Sequence, residues 1–268
     1  MTSLFRQPNP EINPPPVREV APTAIFRWLA LGWSDMRQAG APSLMHGVIV
    51  SLVSMSIVAV TLLFWQLLPG AVSGFVLTGP FLATGLYAIS QKVEKNEATH
   101  FGDIVQAWRH GGRCLLTLGL ILVLAATAWV LFSVLMFHFF IDTPIGGPRE
   151  FLRYVLSQND QTFLLWTVLG GLGSALAFAI SVVSLPLLIE RDVDTRQAIH
   201  ASVRAVGHNP ITMLWWAMTI MVLTGLSFIT LMLGFIFLYP LLGHASWHVY
   251  RDLIDSSELP LHTRADEA

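Results

Sequence analysis

Hydrophobic residues in this chain run in long tracts without charge, unlike the short periodic stripes of a water-soluble fold. Residues 38–91, 114–141, 161–189 and 205–250 contain no Asp, Glu, Lys or Arg. A helix needs about 20 apolar residues to cross the hydrocarbon core of a bilayer. The first and last tracts are long enough for two crossings each, dividing at Pro69-Gly70 and around Leu233-Gly234. The pattern therefore predicts six helices, near 43–68, 71–91, 114–141, 161–189, 210–232 and 235–250. Backbone groups in lipid must be bonded within the protein, so the fold class expected is all-α, a polytopic membrane protein.

A threefold pattern accompanies the hairpins. LGWSDMRQAG, DIVQAWRHGG and AIHASVRAVG align without gaps, ending at Gly40, Gly112 and Gly207. Each carries an arginine three residues before its glycine: Arg37, Arg109 and Arg204. Such amphipathic segments suit the membrane interface, apolar side toward lipid or the bundle and arginine toward lipid phosphates. The glycine suits a helix C-cap. The second helix of each pair holds a proline (Pro80, Pro186, Pro240) in a similar context, and a proline inside a helix bends it. These features predict three parallel repeats, about 25–91, 101–189 and 195–252, each an interfacial helix followed by a helical hairpin. They make up a membrane domain over 25–255, between a disordered Pro-rich cytoplasmic tail (1–24) and a second cytoplasmic tail (256–268).

With six crossings, thirteen of the fifteen Lys and Arg fall on the side that holds both termini; Arg149 and Arg153 are the exceptions. The positive-inside rule then makes the termini cytoplasmic. Small residues at four-residue spacing (Gly173, Ala177, Ser181 and Gly171, Ala175, Ala179) suit close helix packing or a face for a second copy. In the segment 142–160, Phe151, Leu152, Tyr154, Val155 and Leu156 suggest a short surface helix.

The composition then narrows the chemistry. Charged residues are 12% of the chain, about half the usual share. A net charge of −2 gives no footprint for nucleic acid, and the single Cys114 excludes an intrachain disulfide. Proton pumps and ion-coupled carriers usually keep charged side chains within their spans; here the strongly polar ones are His46, Gln66, His138, His244 and His248. His244 and His248 lie one helical turn apart, and His46 falls at similar depth. Imidazoles so placed suit copper, zinc or haem iron. Alternatively they join Trp28, Trp33, Trp108 and Trp247 in an interfacial belt, apolar bodies in lipid and polar tips in water. Two neighbouring histidines are too few for a closed metal site, so the belt is the favoured reading and no cofactor is expected.

GWSDMRQAGAPSLMHG, GPFLATGLYAISQKVEKNE, SLPLLIERDVD with SVRAVGHNP, and YPLLGHASWHVYRDL together resemble the integral-membrane family known as domain of unknown function 2189, over roughly residues 25–255. The resemblance implies a multi-spanning protein of the bacterial inner membrane with no established activity. The functional expectation is a non-enzymatic accessory or assembly component, with membrane lipids, membrane-protein partners or a second copy as its contacts. Two alternatives stand beside it: a channel or carrier for a small neutral or amphiphilic molecule, and a His-based metal- or haem-binding redox accessory.

Overall fold

The computed structural model describes residues 14–64, 67–110, 112–140, 147, 149–150, 153 and 161–261. Most of these residues are helical, with two isolated bridges, Val17–Ile254 and Arg191–Leu261, and no strand among them. The helices come in three runs. In the first, α1 (Ala24–Ala39) leads into α2 (Ala41–Leu63), then α3 (Leu68–Leu82) and α4 (Thr84–Glu94). In the second, α5 (Phe101–His110) leads into α6 (Gly112–Phe140), then α7 (Gln161–Ser181) and α8 (Ser184–Glu190). In the third, α9 (Thr195–His208) leads into α10 (Pro210–Ile229) and α11 (Phe235–Leu253).

Among the described residues, four stretches are long and apolar enough to cross a membrane: Ala41–Thr61, Gly112–Phe140, Phe163–Glu190 and Pro210–Ile229. The tracts near 71–91 and 235–250, predicted as two further crossings, do not meet that measure. Pro80 has no N–H to donate, and three residues later the helix breaks: α3 ends at Leu82 and α4 restarts at Thr84. The break between α7 and α8 comes before Pro186, at Val182-Val183. There Ser202 of α9 accepts from the Val183 N–H (3.1 Å) and donates to the Ala179 carbonyl (2.7 Å). Pro240 sits inside α11 without ending it. Of the three prolines, then, only Pro80 lies just upstream of a break.

The helix junctions follow the glycine rule only in part. Gly40 joins α1 to α2 at φ 61°, where a side chain would be strained, and its N–H bonds the Met36 carbonyl. Gly112 also has positive φ. Gly207 lies within α9; the joint there is Asn209, because Pro210 is preset for a first helical position. The helix start at α9 is a capping box, Asp194 with Gln197.

The long helices present apolar side chains outward, Leu52, Leu120, Leu172 and Met221 among them. The shorter helices pack into one buried layer. Trp28, Leu86, Ile89, Ile104, Leu187, Trp247 and Leu253 are all core residues there. The inward stripe of α1 is Ile25, Trp28, Gly32, Asp35, Met36 and Ala39. A Cβ on Gly32 would lie 2.7 Å from the Ala245 backbone nitrogen, so α1 touches α11 backbone to backbone. Of the apolar-side options for α1, it is the bundle that covers this face. The small-residue stripes on α7 are used only in part: Ala177 and Ser181 are buried, whereas Gly171 and Gly173 meet nothing within 4 Å among the described residues.

The turn between α10 and α11 docks against the middle of α2. Ser51, the eleventh residue of that helix, donates to the Met232 carbonyl (2.9 Å). Leu231 and Met232 have positive φ, and the Thr230 hydroxyl accepts from Gly234 N–H. Ile229, Leu231 and Leu233 of this turn are apolar and exposed.

The N-terminal boundary moves from the one drawn at residue 24. Residues 14–23, expected in a disordered tail, include an ordered strap. Its Arg18 N–H bonds the Leu253 carbonyl (2.8 Å), and Asp255 N–H bonds the Pro16 carbonyl (3.0 Å). Asn209 holds Val20 and Arg18 backbone groups, and Thr212 donates to the Val20 carbonyl. The C-terminal segment is anchored too: Asp192 N–H bonds the Pro260 carbonyl, and Arg191 donates to that of Leu259. Residues 1–13 and 262–268, and most of the surface helix expected around 151–156, lie outside the described residues.

Candidate functional site

The most concentrated chemistry in the chain lies where α1, α2, α4 and α11 meet. His244 of α11 is fully buried, and each ring nitrogen meets a serine. Nε2 is 2.8 Å from Ser43 Oγ of α2, and Nδ1 is 2.7 Å from Ser90 Oγ of α4. Ser90 donates its hydroxyl proton to Asp35 Oδ2 of α1 (2.7 Å). His248 Nε2 lies 2.9 Å from the same carboxylate oxygen.

Donor arithmetic orients the chain of bonds. A hydroxyl has one proton, and that of Ser90 goes to Asp35, so Ser90 Oγ accepts from His244 Nδ1–H. A neutral His244 then has Nε2 as acceptor, and Ser43 donates to it. The line therefore runs Ser43, His244, Ser90, Asp35, with every proton assigned by its neighbour. His46 sits on the α2 face next to this line, 4% exposed, with its ring stacked on Tyr239 (centroids 5.8 Å apart).

A second set of bonds closes the end of α11. Arg251 reaches Glu94 Oε1 (2.9 Å) and Glu190 Oε1 (3.2 Å), while Trp247 Nε1–H donates to Glu94 (3.0 Å). Burial disfavours the Arg251 charge, but Glu190 and Glu94 outweigh it and hold the guanidinium above its ordinary range. Glu190 also accepts from the Tyr250 and Ser256 hydroxyls. Asp252 accepts from Arg27 and Trp28 of α1. Asp255, held by hydrogen bonds from Ser257 and Arg18, titrates at about 2. Segments around residues 18, 94, 190, 209 and 255 thus gather at one end of the bundle.

The sequence brought His46, His244 and His248 forward, and the structure does place them in one region. It does not make them a belt: His244 is 0% exposed, as is Trp247, and Trp28 is equally buried. Nor does it make them a ligand set. Among the described residues no group of three or more His, Cys, Asp or Glu is placed to hold a metal, and serines occupy both His244 nitrogens. Of the three arginines, Arg37 is exposed, Arg204 is partly buried, and the Arg109 side chain lies outside what is described.

Sequence reasoning missed Asp35, Ser43, Ser90, Glu94 and Glu190. One signal was available for Asp35: it lies on the same helical stripe as Trp28 and Gly32, an acid on an apolar face. Ser43 and Ser90 gave none, because a serine within an apolar helix usually bonds its own backbone.

Neither the curated proteins nor the solved structures include a match to the chain. The family match is narrower than the resemblance over 25–255. Two of the quoted motifs, GPFLATGLYAISQKVEKNE and SLPLLIERDVD up to Glu190, fall within it, and the Asp35, Ser43 and His244 segments do not. Residues 67–190, from α3 to the end of α8, match the model of domain of unknown function 2189, a predicted integral membrane protein.

Proposed function

We propose that the chain is a non-enzymatic component of the bacterial inner membrane, an accessory or assembly-type protein that holds membrane partners and lipid. One observation carries this reading. Asp35, Ser43, Ser90, His244 and His248 bond one another across four helices, and Ser43, Ser90 and His244 are 0% exposed. Groups so enclosed fasten helices; a substrate would need them open. In-cell crosslinking followed by mass spectrometry is expected to recover recurrent membrane-protein neighbours. Recovery of the intact chain alone, at native abundance, would refute the role.

The three runs of helices support three parallel repeats that enter from the cytoplasmic side, with both termini cytoplasmic. The excess of Lys and Arg on that side favours this orientation. Of the six predicted crossings, the third hairpin is the shorter pair, its turn level with mid-α2 and its exposed residues apolar. With Cys114 replaced by Ser, a cysteine at Gly147 is expected to react with a membrane-impermeant reagent from the periplasm. A cysteine at Leu231 is expected to stay unlabelled from both sides. Labelling at 231 from the periplasm would establish a full crossing; labelling at 147 from the cytoplasm would reverse the orientation.

A further inference from the structure

From the outer face of α9 we infer a docking surface for anionic phospholipid head groups in the cytoplasmic leaflet. Arg196, His200, Arg204 and His208 recur every four residues along this helix. Its opposite face, Ala198, Ala201, Ser202 and Ala205, is buried. Ser202 bonds across the α7–α8 break, which fixes the rotation of α9 and leaves Arg196, His200 and His208 exposed with Arg204 half-buried beside them. The span covered is about 18 Å at 1.5 Å per residue, enough for more than one phosphodiester.

Two observations favour lipid as the occupant. The first is position. One residue, Asn209, separates α9 from α10, whose Ile211, Leu214 and Trp215 are exposed. If α10 enters the bilayer, as the reading above has it, acyl chains lie one turn below the stripe and phosphates lie level with it. The second is an orphaned donor: Arg204 Nη1 is a buried atom with no hydrogen-bond partner among the described residues. Swinging the half-buried side chain outward would give that nitrogen an acceptor, and the guanidinium fork matches a phosphate. Neither α1 nor α5 carries four basic residues at this spacing in its sequence.

The test uses the full chain in detergent, delipidated and titrated with phosphatidylglycerol or phosphatidylcholine micelles, with bound lipid counted by native mass spectrometry. Each arginine near an anionic surface contributes about fivefold in affinity at low salt, equivalent to about 1 kcal/mol. Arg196→Gln with Arg204→Gln is therefore expected to weaken phosphatidylglycerol binding about 25-fold and leave phosphatidylcholine unchanged. Arg149→Gln with Arg153→Gln removes the same charge on the opposite side and is expected to have no effect. Arg196→Gln alone, at an exposed position, gives a readout even if the double variant fails to fold. Equal binding by stripe and control variants would overturn the proposal. Displacement of the lipid by millimolar inorganic phosphate would also overturn it, marking a generic anion site. A chain that stays soluble without detergent would instead sink the membrane reading on which this rests.

Discussion

Replacing His244 with alanine is expected to destabilise the chain by about 2–4 kcal/mol, measured by denaturant unfolding in detergent micelles. The change opens a cavity in a fully buried site and leaves two serine hydroxyls facing it. Ser43 loses its acceptor, and Ser90 loses the donor that fills its lone pair. His248→Ala should cost less, about 1 kcal/mol, because its side chain is partly exposed and water replaces part of the bond to Asp35. A double-mutant cycle between Ser90→Ala and His244→Ala should show coupling of about 1 kcal/mol, since the two act in one line of bonds. Were His244 an interfacial belt residue, its removal would leave unfolding unchanged. Equal curves for wild type and His244→Ala would therefore dismiss the enclosed network.

The second large effect is expected at Gly47. A Cβ there would lie 2.2 Å from the Ile236 carbonyl oxygen and 2.9 Å from Pro240 Cγ. The first contact is with backbone and cannot rotate away, so Gly47→Leu must push α2 off α11. That separation also pulls Ser43 from His244 and Ser51 from Met232, which couples helix packing to the polar line. A cost of about 3 kcal/mol or more is expected, at the upper end of overpacking effects. Gly171→Leu serves as the contrast, because nothing lies within 4 Å of that position and its leucine would face outward. If the two variants unfold alike, α2 and α11 do not approach in this way.

The two variants also mark where sequence pattern stops being informative. Gly171 stands in a stripe of small residues that reads as a packing face, yet it packs on nothing within the chain. Gly47 stands in a like stripe, Ser43, Gly47 and Ser51, and takes the tightest contact among the described glycines. Spacing along one helix says which residues share a face; which helix arrives at that face depends on the other two-thirds of the chain. The same holds for His244 and His248. Their separation by one turn was visible, and a belt was the natural expectation for polar rings at the end of an apolar tract. The acid and the serines that enclose them come from α1, α2 and α4, each 154 to 213 residues from the histidine it meets.

What the linear order of residues determined by itself is the solvent and the secondary structure. Four charge-free tracts demand hydrocarbon around them, and hydrocarbon admits helices because every backbone bond is then made locally. The glycine at residue 40 is likewise a local property. What only the tertiary structure decided is which polar groups are enclosed and where the turn between α10 and α11 docks. A hydrogen bond between Ser90 and Asp35, or between Ser51 and the turn at Met232, is a meeting of distant segments. No period along the chain encodes such meetings, because they arise from how whole helices settle against one another.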